Sequence, residues 1–551
     1  MPSYEGRLEL TWTNKHLRLL AHNDGHYEWL DPSDYRVAEV RLLHDDETVG
    51  DVSKNRAADN LLIRGDALHG LTSLTKLPEF AQKYLGKVKL AYLDPPFNTG
   101  HAFEHYDDAL EHSVWLTMIR DRLMQIRSLL SPDGSVWVHL DDSEVAACRV
   151  IMDEVFGREA FVSTVVWENF YGRSNAAAIS PCHNYILVYA PSGKEQWRNV
   201  RHLLPRDEKS SSKYSNPDGD PRGAWRNGPI FAPEERHDGL MYTIVTPAGR
   251  TVSTPSGSHW RMTEPGFWRL VDDNRITFGQ DGNGTPAVKL FLEEVQDGLV
   301  PRSWWPHTEV GHSQEAKREI QALFPGVVPF STPKPERLLA RIIHVATNLG
   351  DIVLDCFAGS GTTAAVAHKM GRRWIAGEAS AEIVHTYTLP RLERVVKGSD
   401  PGGITKAVTW SGGGGFRVLE VAQSMFEVDE GVVFLAEGMT NGRLAEATAA
   451  QLGFEYQADP PFAGRKGRSR LAIVDGVVNE SVVQLLVRAL PDNEQVVICG
   501  TGIDSEARTV LRSLRPGSTL RKIPASLLGR YRTGRVELAT PPAPAVAEAR
   551  A

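Results

Sequence analysis

The sequence predicts an α/β protein built on a mainly parallel sheet, interrupted by an irregular insert and followed by a small C-terminal α/β or α+β module. Three observations predict it. Between residues 60 and 189 short apolar runs alternate with segments of helical periodicity, the rhythm of strand, helix, strand that builds parallel sheets. That rhythm disappears from about 192 to 310 and returns at Pro333. Two apolar runs, Val88 to Leu93 and Ile352 to Asp355, pass straight into loops whose residues constrain or bare the backbone.

The chain has 551 residues, enough for two or three domains with their own cores. Hydrophobic residues make up 41% and charged residues 24%, which excludes a disordered or fibrous chain. A net charge of −8 argues against a surface that is basic everywhere, yet a phosphate backbone needs only a local basic patch. No stretch of 18 consecutive apolar residues occurs, and the polar segment Met1 to Arg7 is followed by no apolar core of a signal peptide. The expectation is a cytoplasmic protein that spans no membrane. Cys148, Cys182, Cys356 and Cys499 lack the close spacing of a zinc ribbon, so neither a metal site nor a disulfide scaffold is expected.

Residues 1–58 form an N-terminal extension with short strand segments and scattered histidines (His16, His22, His26, His44), read as surface. From 59 to 191 comes the first half of the α/β domain. Asn60 to Arg64 is a strand closed by Gly65-Asp66 and followed by a helix through Leu71, Leu74 and Leu77. Asp66 is placed to accept hydrogen bonds from a ligand, or simply to cap that helix. Helical spacing covers Trp115 to Leu130, Pro132 to Gly134 is a turn, Ser135 to Leu140 a strand and Val145 to Phe156 a helix ended by Gly157. Strands follow at Phe161 to Trp167 and Tyr185 to Tyr189, with His183 just before the second.

The first sharp signal is Asp94-Pro95-Pro96-Phe97-Asn98-Thr99-Gly100 at the end of the 88–93 strand. Two prolines fix successive φ angles, and Pro95 keeps Asp94 out of the helical region. A carboxylate and a phenyl ring on so stiff a backbone suit a planar substrate with an exocyclic amine; a proline turn that merely ends a strand is the other reading. In the 192–310 insert, Trp197, Trp225, Trp260, Trp268, Trp304 and Trp305 interleave with arginines and lysines, which fits groove and base contacts. An ordinary irregular lobe fits the same composition, since Asp207, Glu208, Glu234 and Glu235 are also there.

The second half, 311–400, opens with Pro333-Lys334-Pro335 and a helix from Glu336 to Ala346. Then Asp355-Cys356-Phe357-Ala358-Gly359-Ser360-Gly361-Thr362 closes a strand and starts a helix. Glycines there let a ligand approach backbone beside the free N–H groups of a helix start, the pattern of a nucleotide-like cofactor cradle. It lacks the lysine of a Walker loop, so phosphate hydrolysis is disfavoured. The next strand, Arg373 to Gly377, ends in Glu378, where such sheets place an acid that grips a ribose. Residues 401–551 follow a glycine-rich break at 398–415, with strands at Phe416 to Val421, Val432 to Leu435, Leu471 to Val474 and Gln495 to Ile498, a helix over Asn479 to Leu490, and a Pro-Ala tail from Pro541. Dimerisation or DNA contact is one reading of this module and mere completion of the fold the other; the sequence does not choose between them.

Taken together, Asn60 to Leu68, Lys87 to Gly100, Asp133 to Asp142, Met152 to Gly157, His183 to Ala190, Pro333 to Glu336 and Asp355 to Thr363 resemble the DNA adenine-N6 methyltransferases of the permuted class, in which the catalytic motif precedes the cofactor motif. Within that class the chain is similar to the modification subunit of type III restriction-modification systems, over roughly residues 58 to 420. The resemblance implies a circularly permuted Rossmann-like sheet, S-adenosylmethionine as cofactor, double-stranded DNA as substrate, the insert as target-recognition domain, a homodimer, and a separate helicase-nuclease subunit for cleavage. It implies that Asp355, Phe357, Ala358, Gly359, Ser360, Gly361 and Thr362 cradle the cofactor, Glu378 holds its ribose, Asp66 accepts from its adenine and Lys334 flanks its methionine end. Asp94 with Pro95 or Pro96 would accept the amine hydrogens of a flipped adenine stacked on Phe97. The family usually carries Tyr at that last position, so a phenolic contact is lost while stacking survives. Cytosine-N4 methylation and glutamine-amide methylation use the same stereochemistry, but those families more often carry Ser or Asn where this chain has Asp94.

Overall fold

The computed structural model describes residues 8–21, 27–98, 102–103, 106–107, 111–173, 177–206, 212–295, 297–429, 432–436, 439, 441–523 and 527. Thr99 and Gly100 of the acidic loop, His22 and His26, Asp207, Glu208 and Lys209 of the insert, and the tail from Pro541 lie outside the described residues. Two compact units emerge, one of residues 1–201 with 302–551 and one of residues 202–301.

The larger unit is organised on a ten-stranded sheet. In chain order its strands are β1 (Leu43–Gly50), β2 (Leu61–Arg64), β3 (Val88–Leu93), β4 (Leu130–Leu140), β5 (Phe161–Trp167), β6 (Asn184–Tyr189), β7 (Trp304–Trp305), β8 (Ile352–Asp355), β9 (Arg373–Glu378) and β10 (Gly415–Val421). Across the sheet they run β7-β5-β6-β4-β3-β8-β9-β2-β10-β1. From β4 to β10 all neighbours are parallel. The apolar run read at Val88 to Leu93 is covered on both faces as β3, where every residue from Leu90 to Leu93 is at most 1% exposed.

Helices cross between the strands: α1 (Ala67–Lys76), α2 (His112–Leu129), α3 (Val145–Phe156), α4 (Glu336–Ala346), α5 (Thr362–Lys369) and α6 (Leu389–Lys397). On α2 the apolar residues Trp115, Ile119, Leu123 and Ile126 recur at helical spacing and are fully buried.

Two expectations are corrected. The segment around Pro132 to Gly134 is a bulge inside β4 and not a separate turn: Val88 pairs with Leu130, and after a register shift Leu90 pairs with Ser135. Residues Gly415–Val421, read as part of the C-terminal module, are β10 of the main sheet. They pair parallel with β2 and antiparallel with β1 of the N-terminal extension. The apolar β2, with Leu61 and Leu62 at 0% exposure, cannot sit at an open edge. Apolar pattern alone does not say which distant strands cover it.

Beyond β10 the C-terminal residues form a five-stranded sheet of Glu455–Asp459, Phe462–Lys466, Ser469–Val478, Gln495–Ile503 and Thr519–Lys522, with helices Asn441–Leu452, Glu480–Ala489 and Ala507–Leu514. Its hairpins are antiparallel and its last three strands parallel. The 202–301 unit has a core of Trp260, Phe267, Ile244, Ile230 and Phe278, with Tyr242 stacked on Trp260 at 4.8 Å.

A buried charge cluster joins α4, α5 and α6. Glu336, at the start of α4, accepts both a 2.8 Å bond from Lys369 of α5 and a 2.9 Å bond from Arg391 of α6. Lys369 also pairs with Asp400 at 2.6 Å, and all four side chains are at most 1% exposed. Burial and the Glu336 charge push the neighbouring Glu319 carboxyl up to about 7. Buried ions are tolerated only when mutually paired. Lys369→Met leaves two carboxylates without their shared cation and is expected to cost about 3–5 kcal/mol, read as an earlier urea transition of the sheet-bearing unit.

Candidate active site

Four adjacent parallel strands deliver the candidate residues to one edge. Asp94 follows β3, Asp355 ends β8, Glu378 ends β9, and Asp66 lies just past β2. Because β3 pairs directly with β8, with Ala91 opposite Leu354, the acidic loop and the glycine loop are neighbours although some 260 residues separate them in sequence.

Asp94 is held from across the chain. Its Oδ2 accepts a hydrogen bond of 2.5 Å from Nζ of Lys334, the residue two before α4. The lysine side chain is 11% and the aspartate 19% exposed. Oδ1 of Asp94 is buried and, among the described residues, accepts from no donor. Burial pushes the Asp94 carboxyl up, while the Lys334 charge and hydrogen bond pull it down, the net direction being upward. Lys334 also lies 5.2 Å from the Phe97 ring centroid, a cation over an aromatic face.

The proline turn itself is fixed by α2. Trp115 donates its indole N–H to the Pro96 carbonyl at 2.7 Å. Phe97 packs 5.6 Å from the ring of His139, a fully buried histidine of β4. Nδ1 of His139 shares a 2.8 Å hydrogen bond with the Tyr92 hydroxyl, and its Nε2 has no partner among the described residues. Burial, reinforced by Lys334, holds this imidazole well below its usual pKa, so it is neutral. Asn98 takes a left-handed φ of 60° and donates to the buried Glu144 at 2.7 Å. Glu144 also bonds Nδ1 of His112 at 2.8 Å.

The glycine loop is tied down by its own flanks. Gly359 (φ 48°) and Gly361 (φ 76°) occupy the left-handed region that favours glycine. A Cβ on Gly359 would come within 3.2 Å of the Phe330 ring, and one on Gly361 within 3.1 Å of Thr388. The Gly359 N–H donates to Oε2 of Glu378 at 2.9 Å, and Ser380 N–H donates to the other oxygen at 3.0 Å. Glu378 is therefore the clasp between β9 and the loop. Asp355 accepts from the Phe357 N–H at 3.0 Å. Burial pushes the Asp355 carboxyl up to about 7, against the bonds from Thr363 and Phe357 and with Asp94 and Glu378 adding to the rise. Ala358 donates to the Gly377 carbonyl, while Thr362 and the Ser360 carbonyl both accept from Arg391.

Asp66 takes the capping role: it accepts from Leu68 N–H at 2.7 Å at the start of α1, and its other oxygen accepts from Arg122 of α2 at 2.9 Å. Burial raises its pKa, but Arg122 and His69 outweigh that and hold it low. Lys334, expected beside a cofactor, pairs with Asp94. Sequence reasoning missed Trp115, His139, Glu144, Arg122 and Arg391. Only His139 had a legible signal, a lone imidazole inside the apolar run Ser135 to Leu140.

The tryptophans of the insert separate by environment. Trp197, Trp225, Trp260 and Trp305 are buried core residues, while Trp268 and Trp304 are 38% and 46% exposed. Arg222 and Arg275 are engaged in ion pairs with Asp220, Asp273 and Glu294. Among the described residues no cluster of His, Cys, Asp and Glu has the form of a metal site, and no helix is long and apolar enough to cross a membrane.

Comparison with known proteins gives this edge its family. The StyLTI Mod subunit of a type III restriction-modification enzyme from Salmonella typhimurium is 33% identical over 59% of this chain and 52% of that protein. The type II methyltransferase M1.MboII of Moraxella bovis is 52% identical over 56% of this chain and 90% of its own length. The solved PvuII DNA methyltransferase, cytosine-N4-specific, aligns at 16% identity over 64% of this chain and 90% of that one, with a TM-score of 0.33. The chain spans about half the length of the Mod subunits that it matches. The N6/N4 DNA methylase family matches residues 88–388, from the first residue of β3, through the acidic loop, Lys334 and the glycine loop, to ten residues beyond Glu378, and the chain belongs to that family.

Proposed function

We propose that the protein methylates N6 of an adenine flipped out of double-stranded DNA, with S-adenosylmethionine as methyl donor, as the modification component of a type III-like restriction-modification system. One observation carries the reading: β3 and β8 are paired in parallel, so the Asp94 acceptor and the glycine loop share one edge, with an unpartnered oxygen on Asp94. The kinship with Mod subunits supports the system, and with it a separate restriction subunit as partner; a homodimer belongs to the same proposal.

The donor set fits the cofactor. Phe357 to Thr362 present backbone beside a helix start, Asp355 and Glu378 stand at the ends of β8 and β9, and Asp66 stands past β2 to accept from an adenine amine. When bound, S-adenosylmethionine supplies an electrophilic methyl group whose departure leaves a neutral thioether. The chain's own residues prepare the nucleophile. The N6 lone pair is delocalised into the purine, so the amine is a poor nucleophile. Asp94 Oδ1 and the Pro95 carbonyl accept its two hydrogens, since the Pro96 carbonyl already serves Trp115, and this draws the nitrogen toward tetrahedral geometry. As nitrogen gains positive charge the Asp94 carboxylate stabilises it, and the surplus N6 proton passes through the Asp94 hydrogen bond to solvent, leaving the neutral methylated amine. Phe97 holds the purine by its face, and the stiff proline turn fixes the angle of approach.

Mass analysis of nucleosides from duplex DNA incubated with protein and S-adenosylmethionine should find N6-methyladenine; N4-methylcytosine would correct the base, and unmodified nucleosides would refute the activity. Asp94→Ala should lower the transfer rate by at least about 10²-fold while calorimetric S-adenosylmethionine affinity stays within about twofold. Replacing residues 202–301 with the corresponding unit of a relative of different specificity should move the methylated site, and an unmoved site would show that recognition lies elsewhere.

A further inference from the structure

Asp94 has two unlike oxygens. Oδ2 is bound by Lys334 at 2.5 Å, and Oδ1 is buried without a donor among the described residues. The lysine reaches this position on a rigid stem. Pro335 follows it at a fixed φ, and Glu336 after that is locked into the cluster with Lys369 and Arg391. Its ammonium is also pinned over the Phe97 ring. We propose that Lys334 is a positioning residue that holds Asp94 by Oδ2 as an ionised acceptor and so presents Oδ1 to the incoming exocyclic amine. This deepens the methyl-transfer reading and rests on it.

Electrostatics give the reason for such a device. An amine that gains positive charge during attack needs an anionic acceptor, yet burial favours the neutral carboxyl. The other groups around Asp94 cannot supply the missing cation. Tyr92 of β3 is held protonated by burial and by the Asp94 and Asp355 charges. Asp355 of β8 is acidic itself and, with Glu378 behind it, works against ionisation. His139 of β4 is neutral. Lys334 is the one cation whose charge and hydrogen bond favour the Asp94 carboxylate among the described residues. The same chain segment ties that cation to the glycine loop, because Glu336 binds Arg391 and Arg391 binds the Ser360 carbonyl and Thr362.

The test is the pH profile of single-turnover methyl transfer in the full-length protein. Removing the cation raises the pKa of Asp94, so in Lys334→Met the acid limb should move to higher pH by about 1–3 units, with rate recovered as pH rises. Lys334→Arg keeps the charge and should keep the profile. S-adenosylmethionine affinity should be unchanged in both. A rate lost equally at every pH, or lost cofactor binding with an unmoved limb, would overturn the proposal. A urea-denaturation cycle with Lys334→Met, Asp94→Asn and the double variant reads the same pair without any activity. Adding Asp94→Asn to Lys334→Met should recover the stability lost near pH 8, because a neutral amide needs no counter-ion. If the wild type transfers no methyl group but the cycle shows recovery, the pair stands and the assigned reaction falls. If methylation occurs without recovery in the cycle, the pair falls and the reaction stands.

Discussion

The parallel pairing of Val88–Leu93 with Ile352–Asp355 is the constraint on which the site depends. Each strand alone ends in a loop of limited meaning. Paired in parallel, both release their loops at the same carboxyl edge, and the outward-turning chain leaves a crevice between them. Burial secures the pairing, because both strands are apolar and almost wholly inaccessible. A slip of one residue would turn each side chain to the opposite face and separate Asp94 from the glycine loop.

Around that pairing, charge does what apolar packing cannot. Hydrophobic contacts place the strands and helices, but they do not orient a carboxylate. The Glu336 cluster fixes the start of α4, and two residues earlier Lys334 grips Asp94. Such ions are costly to desolvate and contribute little net stability when compared with apolar replacements. Their value here is geometric: they join α4, α5 and α6 and the acidic loop into one arrangement. Among the described residues, Asp94 Oδ1 and His139 Nε2 are buried polar atoms without a hydrogen-bond partner.

The 202–301 unit shows how composition can suggest contact where burial shows packing. Trp260, stacked on Tyr242 and flanked by Phe231 and Phe267, is a core residue with its indole N–H bonded to the Tyr242 carbonyl. An aromatic in sequence has no direction, and a basic residue in sequence has no partner. Only after folding does Arg222 turn out to face Asp220 and Trp268 to face solvent.

Local chemistry determined much of this protein from sequence alone. The periodicity of apolar residues located β3, β8, β9, α3 and α4, since burial on a sheet or a helix leaves a pattern within a few residues. The proline pair marked a stiff acidic loop, and Gly359 and Gly361 marked a turn that needs positive φ. Tertiary structure decided what requires contact between distant residues. It put β10 beside β2 with β1 at the edge of the sheet, gave the Pro96 carbonyl to Trp115 and paired Lys334 with Asp94, 240 residues away. A lysine followed by proline reads the same in sequence whichever carboxylate it meets; only folding selects the partner, through the low dielectric of a site where an unpaired charge is expensive.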